Sequence, residues 1–214
     1  RRFNGAILVA TNGKEELMNT YGFTDVGRKR ELTNHSSFRL ASVSKQFTAM
    51  AIMILKEEGK LQLDNPVYVY LPGFPYDDIT IRHLLNHVSG LPDYESLVLN
   101  FNNSSTKYFY RTGQSRENIT YTGEPSLYKE SNDILNMIDV LDLIINHTDK
   151  RKFNAGEKFK YCNTGYVLLA YLVELISGQS FESFMDKNIF IPLSMNNSRV
   201  WNLNTVSGKL IDRV

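Results

Sequence analysis

A single cysteine, Cys162, is the only thiol in the sequence. That excludes an internal disulfide and any metal site built on several cysteines. Charge imbalance is equally scarce: 24 Lys and Arg against 23 Asp and Glu leave a formal net charge of +1. The overall electrostatics therefore give no case for nucleic acid or an anionic membrane surface as a partner. The apolar run from Phe47 to Leu55 is too short to cross a bilayer, and no transmembrane segment is expected. Internal repeats and low-complexity linkers are absent. Arg1-Arg2 leads straight into a strand-like run, so any targeting segment is expected to lie outside this chain.

What remains is the composition of an ordinary folded protein. Its 214 residues are 42% hydrophobic and 22% charged, with 12 Tyr and 12 Phe. That is enough for one sizeable domain or two small ones. Phe3 to Ala10 reads as a strand, Thr11-Asn12-Gly13-Lys14 as a tight turn and Glu15 to Tyr21 as the returning strand, because Asn-Gly between apolar runs tolerates positive φ at both positions. Gly22 to Ser37 is polar and glycine-punctuated, which predicts a loop. Between Phe47 and Leu55 only Thr48 is polar. A helix here would be apolar on nearly every face and is expected to be buried on all sides. Lys56-Glu57-Glu58-Gly59 marks its return to solvent.

Further along, Asp64 is expected to cap a short helix with Pro66 just inside it. Thr80 is expected to cap a helix from Ile81 to about Val88, ended by Gly90. His83 and His87 lie four residues apart in that helix, a spacing able to bind a metal. No acidic third ligand accompanies them, and the reading favoured is hydrogen bonding within the fold. Asp93 to Asn132 is irregular, and its aromatics, such as Tyr108-Phe109-Tyr110, read as anchors for a long loop. Asp133 to Asn146 and Thr164 to Ile176 have helical periods. Ser180 is expected to cap a last helix through about Ile189.

Ser42 and Lys45 sit three residues apart at the start of the apolar helix, on one side of its first turn. Taken alone, Ser-x-x-Lys reads as a capping serine beside a lysine pointing to water. Serine becomes a nucleophile only when something removes its proton. A nearby amine can do so if burial or a neighbouring positive charge lowers its pKa. Helix-terminal N–H groups can stabilise the oxyanion that results. A second cluster, Tyr161-Cys162-Asn163, lies about 120 residues downstream, between an extended segment and a helix. By itself it reads as a core aromatic followed by a helix cap.

Ser-x-x-Lys followed at this distance by Tyr-x-Asn resembles the serine β-lactamase and penicillin-binding-protein superfamily, in the branch of class C β-lactamases, DD-peptidases and related esterases. The resemblance runs along essentially the whole chain. Leu84-Leu85-Asn86-His87-Val88-Ser89-Gly90-Leu91-Pro92-Asp93-Tyr94 resembles the LLxHxSGLPxY stretch. Gly156 to Leu169 resembles PGxxFxYSNxGYxLL, and Ile191-Pro192-Leu193-Ser194-Met195 resembles xPLGM. Cysteine is unusual between Tyr161 and Asn163, and Asn154-Ala155-Gly156 lacks the expected proline.

The resemblance implies an α+β fold: a helical subdomain plus the N-terminal hairpin of an antiparallel sheet. Residues 1–40 would form the hairpin and loop, 41–200 a mostly helical subdomain, and 201–214 a lead-in to further strands. It implies a serine acyl hydrolase. Ser42 would be acylated, with Lys45 as its proton-transfer partner. Tyr161 would be base or relay, as a phenolate favoured by Lys45, and Asn163 would bind the substrate's amide side chain. The substrate would be a D-Ala-D-Ala-type peptide, a β-lactam or a small ester. The alternative is a penicillin-binding sensor or a non-catalytic binding module of the same fold. No metal or organic cofactor is implied, and the action would be extracytoplasmic. The superfamily's third motif, Lys-Thr-Gly or His-x-Gly on a strand that also carries the second oxyanion N–H, has no counterpart, since Lys209-Leu210 lacks the Thr-Gly. The chain is thus expected to be a piece of a larger protein, poor alone at hydrolysing nitrocefin.

Overall fold

The computed structural model describes residues 3–25, 27, 29–97 and 137–201. Most of the irregular stretch expected over Asp93–Asn132, with Tyr108-Phe109-Tyr110, lies outside the described residues. So do the first residues of the helix expected from Asp133, and Lys209-Leu210. The chain divides into two compact units, one of residues 1–44 with 201–214 and one of residues 45–200.

In the first unit, β1 (Gly5–Thr11) and β2 (Lys14–Tyr21) pair antiparallel from Gly5↔Tyr21 to Thr11↔Lys14, with an irregularity between Val9 and Ala10. Asn12 and Gly13 have φ of 52° and 77°, as a two-residue hairpin turn of matching twist requires. The polar stretch expected to be a loop contains a second small hairpin, β3 (Phe23–Asp25) with β4 (Arg30–Glu31). Side chains support it. The Asn4 amide donates to the Phe23 carbonyl and accepts the Phe23 N–H, as a paired strand would. Strands of three and two residues are too short to show an alternating pattern. A 3-10 turn, Ala41–Ser44, ends this segment of the unit.

The second unit opens with α1 (Lys45–Glu57). Thr48, Ala51, Ile52 and Leu55 form its buried stripe at helical spacing, and the helix packs on α4 (Asn163–Ser177). Burial on all sides is not what the structure shows. Met50 and Met53 are 50% and 41% exposed. A helix needs only one apolar stripe to dock, so an apolar composition all round did not settle which residues are covered.

Asp64 does not cap a helix. Its carboxylate takes a two-pronged bond from the Arg82 guanidinium, while Pro66 precedes the 3-10 turn Val67–Val69 and bridges to Thr80. Helix α2 (Ile81–Leu85) starts at Thr80 as expected, in a reciprocal box: the Thr80 hydroxyl accepts the His83 N–H and His83 Nδ1 accepts the Thr80 N–H. It ends three residues sooner than Val88, because His87 turns left-handed at φ 58°. α3 (Met137–Asn146) also packs on α4. α4 buries Leu168, Leu169 and Leu172 completely, each worth about 2 kcal/mol of apolar transfer, and Gly178 closes it in the left-handed conformation. Ser180 caps α5 (Phe181–Met185), which continues as a π-helical turn, Asp186–Phe190. Among the described residues no helix is long and apolar enough to cross a membrane.

Candidate active site

Lys45 is the first residue of α1, and Asn163 the first of α4. Packing of these two helices brings residues 118 apart into contact: the Lys45 ammonium donates to Asn163 Oδ1 at 2.8 Å. The same Nζ lies 5.0 Å from the Tyr161 ring centroid and 5.5 Å from that of Tyr166. A cation over two aromatic faces is held by their negative quadrupoles. Three of the four residues singled out in the sequence, Lys45, Tyr161 and Asn163, thus form one cluster in the second unit. Ser42 lies in the 3-10 turn that runs directly into α1, three residues before Lys45 in the chain.

The start of α4 is held from elsewhere. Cys162, its N-cap residue, makes no side-chain cap bond. The first N–H of the helix, that of Asn163, donates instead to Asp93 Oδ2 at 2.8 Å, and Asp93 Oδ1 accepts the Glu95 N–H. One carboxylate therefore caps α4 and the helical turn of residues 94–97. Thr164, fully buried, accepts the Tyr94 N–H and donates to the Pro92 carbonyl, both at 2.8 Å. The Cys162 thiol is 3% exposed and faces the Leu91 and Pro92 carbonyls. Burial pushes its pKa up, which keeps it a thiol and a poor competitor for the nucleophile's role. The unusual cysteine is a packing residue.

His87 is a hydrogen-bonding residue, as expected from the lack of a third metal ligand: Nδ1 accepts the Cys162 N–H at 3.2 Å. His83 sits in the α2 capping box. Asp93 and Tyr166 are the cluster members that sequence reasoning missed as site residues. Both stand inside quoted motifs, but no periodic or spacing signal ties Asp93 to a helix 70 residues away.

Residues 1–205 match the family model described as Beta-lactamase. The chain belongs to the beta-lactamase family. The α+β arrangement of helices and small antiparallel sheet is this family's fold. A curated relative, Penicillin-binding protein 4* of Bacillus subtilis, is 38% identical over 201 residues, which are 94% of this chain and 39% of the relative. The chain thus spans well under half the length of that protein. A penicillin binding protein from Bacillus halodurans has a similar structure, with a TM-score of 0.70 at 28% identity over 96% of this chain and 55% of that one. D-amino acid amidase from Ochrobactrum anthropi follows at 0.66 and 25%, over 88% of this chain and 44% of that one.

Proposed function

We propose that this chain carries the nucleophile and proton-transfer groups of a serine acyl hydrolase. Ser42 Oγ attacks an amide, β-lactam or ester carbonyl. Its proton passes to the Lys45–Tyr161 pair and on to the departing nitrogen or oxygen, leaving an ester on Ser42. Water then attacks that ester, the bond from Ser42 Oγ to the acyl carbon breaks, the acyl group leaves as a carboxylic acid, and a proton of the water restores the hydroxyl. The observation that carries the reading is the 2.8 Å bond from Lys45 to Asn163 with Tyr161 beside the same ammonium. A lysine so fixed has a defined direction for proton transfer.

Asn163 contributes twice in this scheme. Its carbonyl oxygen orients Lys45, and its amide group binds the side-chain amide of the substrate. The substrate class is a D-Ala-D-Ala-type peptide, a β-lactam or a small ester, acted on outside the cytoplasm. Family membership and the penicillin-binding and amidase relatives support that range. The test is labelling by a fluorescent penicillin in the protein that carries this chain. We expect a covalent label that Ser42→Ala abolishes. Rapid loss of label indicates hydrolysis, and persistent label a penicillin-binding sensor. An equally labelled Ser42→Ala variant would refute the assignment.

A further inference from the structure

The acyl-transfer reading leaves His87 without a task, yet its backbone and its ring are both held by neighbours. Its backbone is left-handed, at φ 58°, a conformation a histidine keeps only where its surroundings impose it. Its carbonyl accepts the Lys160 N–H at 2.9 Å and its Nδ1 accepts the Cys162 N–H at 3.2 Å. These two bonds clamp the residues on either side of Tyr161. The ring itself packs on Tyr161, with centroids 4.5 Å apart and planes at 33°, and on Tyr166, at 5.1 Å and 32°. Phe159 meets its edge. Tyr166 is anchored in turn by its hydroxyl, which donates to the Leu85 carbonyl.

The bond to Cys162 decides the tautomer. An N–H aimed at Nδ1 occupies the lone pair there, so the neutral ring carries its proton on Nε2. A protonated ring would turn an N–H toward the Cys162 N–H and lose that bond. It would also set a second cation beside the two tyrosine rings that already hold the Lys45 ammonium.

We propose that His87, neutral and protonated on Nε2, is the positioning residue that holds the Tyr161 ring against Lys45. Its consequence for rate rests on the acyl-transfer reading above. The hold on the ring does not.

Among the described residues, the groups facing His87 are Lys45 from α1, Tyr161 from the extended segment and Tyr166 from α4. Burial holds the imidazole below its ordinary value, and the Lys45 charge acts in the same direction. The folded protein therefore binds fewer protons at this site than the unfolded chain. The stabilisation is full above the ordinary histidine pKa of about 6.5, and it is lost as pH falls through the lower folded value. Acylation should fall on the same acid limb.

The experiment pairs two readouts. In the first, penicillin acylation rates of the wild type, His87→Asn and His87→Phe are followed from pH 4.5 to 8. Asparagine tolerates the left-handed backbone and offers Oδ1 where Nδ1 was, but it neither titrates nor stacks as a ring. Phenylalanine keeps the stack and loses the acceptor. We expect the wild type to lose rate with a one-proton limb below about pH 6.5. His87→Asn should lack that limb and run roughly tenfold slower at pH 7.5. A His87→Asn variant with the wild-type rate and limb overturns the proposal, and so does a His87→Phe variant with the wild-type limb.

The second readout needs no acylation. In protein labelled with 15N-histidine and 13C-tyrosine, His87 is assigned by the signal missing from the His87→Asn spectrum. Its Nδ1 should be unprotonated at neutral pH, and the Tyr161 ring signals should shift as His87 titrates. Tyr161 signals that ignore that titration overturn the proposal. A wild type that is never acylated removes the acyl-transfer reading alone, and the NMR titration then decides the role of His87.

Discussion

Helix α2 takes its cap from its own chain, Thr80 and His83 exchanging bonds across three residues, whereas α4 takes its cap from Asp93, 70 residues earlier. The first arrangement forms as soon as the turn does. The second exists only when the segment 91–95 and the segment 162–164 have met. The contrast separates the two helices by task. α2 positions apolar residues such as Ile81 and Leu84 for the core, while the first residue of α4, Asn163, is the one that holds Lys45. A carboxylate 70 residues away thus ties the loop after Gly90 to the Lys45–Asn163 contact, and a local cap would not.

The strongest way to break the distant arrangement is at Gly90. Its φ is +75°, and a Cβ there would fall on the Phe153 carbonyl. Gly90 also accepts the Lys152 N–H at 2.8 Å, and just before it the Val88 carbonyl accepts the Gly156 N–H at 2.8 Å. Gly90→Ala must therefore push these mutually bonded segments away from each other. We expect a loss of more than about 4 kcal/mol, enough to abolish cooperative thermal unfolding at ordinary temperature. A variant melting within a few degrees of the wild type would show that the segments can separate without cost.

Next in size is a direct comparison of the two caps. Asp93→Ala leaves the Asn163 and Glu95 N–H groups without their carboxylate. We expect a cost of about 2 kcal/mol, at the charged end of the range for capping bonds. We also expect at least a tenfold loss of acylation, because Asn163 and Lys45 shift together. Thr80→Ala removes an ordinary local cap and should cost about 1 kcal/mol, with acylation unchanged. Thermal melts and penicillin labelling on both variants check the pair. Equal activity losses would show that the distant cap has no special tie to the site.

The same contrast explains how much of the molecule is legible in its sequence. Caps and turns whose partners lie within four residues are legible: Asn12-Gly13, Thr80 and Ser180 are where local stereochemistry puts them. The periods of α3 and α4 are legible too, since an apolar stripe repeats at helical spacing. The β3–β4 hairpin is not, because its strands are only three and two residues long and the Asn4 side chain that pairs with the Phe23 backbone lies 19 residues away. The end of α2 at Leu85 escapes a local reading because tertiary bonds at His87 impose the left-handed turn there. Asp64 looks like a cap in the sequence because its partner, Arg82, lies 18 residues on. Lys45, Tyr161 and Asn163 stand out through motif order, yet the Lys45–Asn163 bond depends on α1 packing against α4. A close-packed interface between distant helices leaves no mark in either helix's own sequence.

The smallest effect belongs to the pair that links the approaches to the two helices. Asp78, two residues before the α2 cap, accepts both prongs of Arg151 and the Ala155 N–H. Arg151 also donates to the Phe153 carbonyl, on the run toward Tyr161. The Arg151 hydrogen bonds hold the Asp78 carboxyl below its ordinary value of 3.8. Below that ordinary value the unfolded chain takes up a proton that the folded protein still refuses. The contribution is therefore present above about pH 4 and lost as pH falls through the folded value. Asp78 is 39% exposed at its side chain, so solvent screening keeps the contribution to about 0.5 kcal/mol. Asp78→Asn should then melt about 1–2 °C below the wild type at pH 7. The gap should close as the pH is lowered toward 3. A gap that stays constant from pH 7 to pH 3 would mean that shape, not charge, joins the approach to the local cap with the approach to the distant one.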